Sequence, residues 1–167
     1  MLNVNLEYSE GVVDVSIIVP MCFENPLKKL ATEFLGDVLA LKRKATIPLT
    51  AVLGAYHIVT NYLKAPRRAV KKILVEMLET RSPAFYPKVS PALAMEALDV
   101  ATTYSIESWD GYLVALAQHL KTKIIYTLDR ELGKVSEIVT VNPFPEQEVK
   151  KYHQYMRLLL KKHSAYT

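Results

Sequence analysis

Gly11-Val-Val-Asp-Val-Ser-Ile-Ile-Val19 is a continuous apolar run broken only by Asp14 and Ser16. An apolar stretch of this length without polar alternation reads as a strand buried on both faces, running into a loop near Pro20. Lys123-Ile-Ile-Tyr-Thr127, β-branched and aromatic, reads as a second strand ending at Leu128-Asp129, and Val139 and Val141 mark a last short one. Residues 84–89 suit another short strand. Helical spacing fills the intervals. Leu30, Phe34, Val38 and Leu41 recur every three or four residues within 27–44, and the chain restarts extended at Ile47-Pro48. Leu49 to Leu63 is helical and mostly apolar. Pro66 suits the first turn of a helix carrying Val70, Ile73, Leu74, Met77 and Leu78 on one face. Ser90-Pro91 reads as an N-cap and first helical position, and that helix runs to about Thr103. Ser105 or Ser108 caps the next helix, which carries Leu113, Leu116, Ala117 and Leu120. Short apolar strands separated by helices predict an α/β fold around a mainly parallel sheet, with ligands at the carboxyl ends of the strands.

The chain has 167 residues, half of them hydrophobic, which suits one domain with a substantial core. We divide it at residues 1–145, with 146–167 as a C-terminal helix packed on the same domain through Val149, Tyr152, Met156, Leu159 and Leu160. The single cysteine, Cys22, cannot form an internal disulfide. No run approaches the about 18 apolar residues of a membrane span, and residues 1–10 carry Glu7 and Glu10 without a basic leader. The expected location is cytoplasmic, with no membrane partner.

The net charge of +4 is unevenly placed. Residues 64–88 hold seven Lys or Arg against two Glu, residues 89–145 hold four against seven acids, and residues 146–167 hold five against two. Basic flanks around an acidic centre suit a polyanion held over a metal site; the same charges also suit solvated helix faces.

Three carboxylates need an explanation. Asp14 interrupts an apolar run, where an unpaired charge costs several kcal/mol. Asp129 follows a buried strand at the end where ligands bind. Asp110 opens a helix that continues almost wholly apolar, Tyr112-Leu-Val-Ala-Leu-Ala117. Asp110 also suits the helix macrodipole, and Asp129 suits a turn cap. Brought together without a matching cation, the three repel one another, and a divalent ion relieves that. Carboxylates are hard donors suited to Mg²⁺ or Mn²⁺, and the chemistry such a site supports is phosphodiester hydrolysis. No pair of the four histidines has metal-ligand spacing, and no phosphate-binding glycine loop is present.

Val12-Val-Asp-Val-Ser16, Ile47-Pro-Leu-Thr50, Ser108-Trp-Asp-Gly-Tyr-Leu-Val-Ala-Leu-Ala117 and Ile124-Ile-Tyr-Thr-Leu-Asp-Arg-Glu-Leu132, in that order, resemble a PIN domain over roughly residues 10–142. The resemblance implies a three-layer α/β/α sandwich and a Mg²⁺- or Mn²⁺-dependent endoribonuclease like the VapC toxins of toxin–antitoxin pairs. It also implies RNA as substrate, an antitoxin protein as partner and a homodimer. Asp14, Asp110 and Asp129 match the family's catalytic and metal-binding acids. The family usually has a glutamate where this chain has Gly54, which offers no ligand and costs roughly 1 kcal/mol against alanine in a helix. Two outcomes stand open. Glu24, Glu33 or Asp37 substitutes, or the chain is a catalytically impaired PIN-fold module that binds RNA or protein. Arg67, Arg68, Lys71 and Lys72 suit a phosphate backbone, Tyr62 suits a base, and Arg130 suits a phosphate or a carboxylate. Thr127 suits hydrogen bonding to substrate phosphate or to a carboxylate.

Overall fold

In the computed structural model, which describes residues 8–165, five short strands form one parallel sheet in the order β3-β2-β1-β4-β5. They are β1 (Gly11–Val13), β2 (Ala45–Pro48), β3 (Phe85–Tyr86), β4 (Ile124–Tyr126) and β5 (Val139–Val141). Seven helices connect and flank them: α1 (Val15–Ile18), α2 (Lys28–Leu39), α3 (Leu49–His57), α4 (Arg67–Glu79), α5 (Pro91–Tyr104), α6 (Ser108–His119) and α7 (Glu146–Ser164). The fold is a three-layer α/β/α sandwich. The period-two pleat divides the core between the layers. Val13 and Tyr126 pack with the buried faces of α1 to α4 and of α7, whereas Val12 and Ile125 pack with α5 and α6. Val149 and Tyr152 of α7 are buried in the first cluster, while Leu160 is exposed.

The chain moves from β1 outward to β2 and β3, then returns across the sheet to β4 on the other side of β1. Val12 pairs with Thr46 of β2 and with Ile125 of β4. The reversal at β1 leaves a crevice beyond the carboxyl ends of β1 and β4, where doubly wound sheets bind ligands.

The opening run differs from the expected strand. Only Gly11–Val13 is extended; Asp14 keeps extended angles (φ −78°, ψ 156°) as the cap of α1, and Val19–Cys22 continue as a 3₁₀ turn. Ile17, Ile18 and Val19 are buried in helical conformation, so the unbroken apolarity that suggested a strand records burial on all sides instead. Pro20 sits in the first turn of the 3₁₀ segment, where its missing N–H is tolerated. Ala45–Pro48 is a true strand rather than an extended restart, and Ile47 N–H donates to the Ala84 carbonyl at 2.8 Å. The helix expected over 27–44 stops at Leu39, where the chain reverses through Leu41 at φ 59°. The helix after Leu49 changes at Ile58–Tyr62 into a π-turn. Neither expected serine caps α6: Ser105 closes α5 in a left-handed conformation, Ser108 lies inside the first turn, and Glu107 is the cap residue.

Candidate active site

Asp14 leaves β1 at the centre of the crevice and is 4% exposed. Its Oδ2 accepts from Ser16 Oγ at 2.6 Å and from Thr127 Oγ1 at 2.7 Å. Backbone N–H groups of Val15 and Ser16, at the start of α1, add to these. Burial nevertheless outweighs the four donors and raises the Asp14 pKa above the usual carboxylate range. Thr127, at the end of β4, is itself buried, and its hydroxyl is committed to carboxylate positioning. It donates to Asp14 and accepts the Asp129 N–H at 2.9 Å, so one hydroxyl ties together the ends of β1 and β4. Ser16 Oγ makes a second tie, accepting the Leu128 N–H at 2.9 Å. Asp129 is exposed, and its Oδ1 accepts the Glu131 N–H at 2.8 Å.

Asp110 reaches the same crevice from the first turn of α6. The following residue explains how closely that helix sits: a Cβ on Gly111 would stand 2.2 Å from the Ala97 carbonyl oxygen of α5. The carboxyl of Asp110 is pushed up to about 7, first by burial and then by the negative charges of Asp14, Asp129, Glu107 and Glu131. A helix N-terminus would by itself favour the carboxylate by less than about 1 kcal/mol, so desolvation and crowding win.

These groups line a cavity of about 830 Å³. Asp14, Glu107, Asp110 and Asp129 contribute the acids, with no Lys or Arg among the lining residues, and Gly54, His57, Tyr62 and Trp109 also line it. Tyr62 and Trp109 are 60% and 67% exposed at its mouth. The Tyr112 hydroxyl is buried in the lining beside Thr50 without a well-formed hydrogen bond.

The basic residues lie elsewhere. Arg68, Lys71 and Lys72 border a separate surface hollow on α4 with Glu76 and Glu79. Arg67 does not line the crevice; its Nη2 donates to Asn61 Oδ1 at 3.3 Å. Arg130 is exposed beside Asp129. None of Glu24, Glu33 and Asp37 lines the cavity; each pairs with a surface lysine, Lys28, Lys29 and Lys42 respectively. Glu107, whose place before the helix gave no chemical signal in the sequence, is the additional acid in the lining. His57, His153 and Trp109 were likewise not singled out as site residues, because their approach depends on tertiary packing.

The sequence model of the PIN domain family matches residues 11–138. The chain belongs to the PIN domain family. A search of curated proteins finds no matching sequence. Among solved structures, a toxin–antitoxin complex from Klebsiella pneumoniae is similar at a TM-score of 0.55 and 15% identity, covering 80% of this chain and 98% of its own. The crystal structure of PAE2754 from Pyrobaculum aerophilum is similar at a TM-score of 0.57 and 18% identity, covering 88% of this chain and 99% of its own. At these identities the likeness concerns the fold. The α7 helix, which brings Tyr152, His153 and Met156 to the cavity, lies beyond the family match in this PIN domain.

PIN domains are in general dependent on divalent metals. The donor set here suits such an ion in kind: hard carboxylate oxygens, with the charges of Asp14 and Asp129 adding to the raised pKa of Asp110, and no Lys or Arg in the lining. Among the described residues, no three His, Cys, Asp or Glu side chains are grouped closely enough to hold an ion together. Mg²⁺ does not demand such a cage, since it keeps several waters and is commonly held by one or two carboxylates with substrate phosphate.

Proposed function

We propose that this PIN domain is a Mg²⁺- or Mn²⁺-dependent endoribonuclease, with Asp14, Asp110 and Asp129 as the carboxylates of its active site. The observation that carries the reading is the crevice itself, lined by Asp14, Asp110 and Asp129 with Glu107 and by no Lys or Arg, where burial and the neighbouring charges raise the pKa of Asp110. A divalent ion bound there supplies charge for the scissile phosphate and acidifies water. Asp14 is the fixed point, oriented by Ser16 and Thr127. Asp129 stands at the exposed edge, and Asp110 faces both from the other helical layer. The basic faces of α4 and α7 supply the sequence-independent attraction for RNA. Arg67, Arg68, Lys71 and Arg130 belong to that outer contact, while Thr127 acts through Asp14.

A nuclease of this kind fits the toxin of a toxin–antitoxin pair, with an antitoxin protein covering the crevice, a homodimer as its working form and the cytoplasm as its location. Among the described residues no helix is long and apolar enough to cross a membrane. Gly54 favours a second reading, a catalytically impaired module that still binds RNA or protein. Cleavage of mixed RNA in Mn²⁺ separates the two. Wild-type cleavage lost in Asp14→Asn supports the nuclease, whereas inactivity of the wild type with activity in Gly54→Glu supports the impaired module. A Cβ at position 54 meets only Val15 Cγ2, at 3.4 Å, so the introduced side chain has room to enter.

A further inference from the structure

Two walls of the crevice are unlike. One carries the carboxylates; the other, from α3 and the π-turn, carries Gly54 and His57. His57 lies three residues after Gly54, hence one helical turn along the same face. The π-turn crowds both of its neighbours against the ring: Asn61 Nδ2 meets His57 Nδ1 at 3.0 Å, and the Tyr62 ring packs edge-on at 5.6 Å between centroids. π-turns of this kind occur frequently at functional sites. Arg67 Nη2 donates to Asn61 Oδ1, which turns the amide nitrogen toward His57. The amide nitrogen can only donate, so Nδ1 accepts and the ring N–H is the one on Nε2. The free polar atom of this cavity-lining ring is thus an N–H donor, on a wall free of carboxylates.

We propose that His57, braced by Asn61 and Arg67, binds an RNA phosphate, its Nε2–H donating to a non-bridging oxygen of a phosphodiester seated between the two walls. This rests on the reading of the crevice as an RNA site. Arg67 acts through Asn61, and both are positioning residues. Without a glutamate at position 54, the phosphate meets no carboxylate on this wall.

The test is fluorescence anisotropy of a labelled mixed-sequence oligoribonucleotide in Ca²⁺, an oxygen-preferring cation, with its integrity checked on a gel. His57→Ala weakens binding about tenfold, as expected for losing one hydrogen bond to a charged group. His57→Gln, whose side-chain amide places a donor near the position of Nε2, recovers most of that loss, and Asn61→Leu gives an intermediate Kd. His57 is exposed, so thermal melting of each variant should match the wild type. Wild-type affinity in His57→Ala, or no recovery in His57→Gln, overturns the assignment while leaving the nuclease reading intact. A wild type that binds no RNA in either Ca²⁺ or Mg²⁺ overturns both.

Discussion

Asp110→Asn should stabilise the ion-free protein at alkaline pH and leave it unchanged near pH 4. Folding moves the Asp110 carboxyl from an ordinary 3.8 to about 7, so between those values the folded chain holds a proton that the unfolded chain has lost. Stability from this group is therefore greatest at low pH and declines as pH rises through about 7. About three pKa units at 1.36 kcal/mol each set an upper limit of about 4 kcal/mol. The carboxyl is only part-buried, and solvent screening reduces this to about 1–2 kcal/mol. The macrodipole interaction that asparagine forgoes, below about 1 kcal/mol, opposes the gain without reversing it. At roughly 2–4 °C per kcal/mol for a chain of this size, the variant should melt about 3–6 °C above wild type at pH 8 in EDTA. The difference should vanish at pH 4. Comparing the two proteins at each pH removes the contributions of titrating groups remote from the crevice. Divalent ion at pH 8 should raise the wild-type Tm more than that of the variant, because the ion binds only the folded site. A melting difference that is absent at pH 8, or equal at both pH values, would refute the electrostatic account of this crevice.

Gly111→Ala should destabilise the protein by about 1–3 kcal/mol in denaturant titrations, because its methyl would meet the Ala97 carbonyl at 2.2 Å and force α5 and α6 apart. A neutral substitution would show that the helices are not locked there. Thr127→Val should cost about 1.5–3 kcal/mol, more than Ser16→Thr, since it removes one of the four donors to Asp14 and leaves the Asp129 N–H without its acceptor; chemical denaturation checks the order. Gly54→Glu should change the Tm in EDTA by less than about 1 kcal/mol equivalent, helix propensity opposing added acidic repulsion. The same variant should bind Mn²⁺ more tightly by calorimetry than the wild type.

The α/β architecture with its parallel sheet was legible in the order of apolar runs and amphipathic segments; the three-layer arrangement followed from the motif order, which pointed to the family that the sequence model matched. The boundary after Val13 was not. A buried helix and a buried strand are both apolar throughout, and only the backbone of Asp14 distinguishes them. Asp14 itself stood out because a carboxylate inside such a run demands partners. Ser16 and Thr127 supply them, the latter from 113 positions away, a pairing no local spacing could display. Asp14, Asp110 and Asp129 line one cavity, though among the described residues they are not grouped closely enough to hold an ion by themselves. The basic stretch of α4 suited either a solvated face or a phosphate backbone, and most of it borders a hollow separate from the crevice. His57 carried no signal at all, because its role depends on a π-turn and on the wall it occupies opposite the acids.

The most direct test of the account is Mn²⁺ binding followed by electron paramagnetic resonance, run in parallel with cleavage of an oligoribonucleotide. The wild type should bind Mn²⁺ and cleave only when it is supplied, and Asp14→Asn, folded by circular dichroism, should lose both. Cleavage by Asp14→Asn at the wild-type rate, or wild-type cleavage undiminished in EDTA, would contradict it.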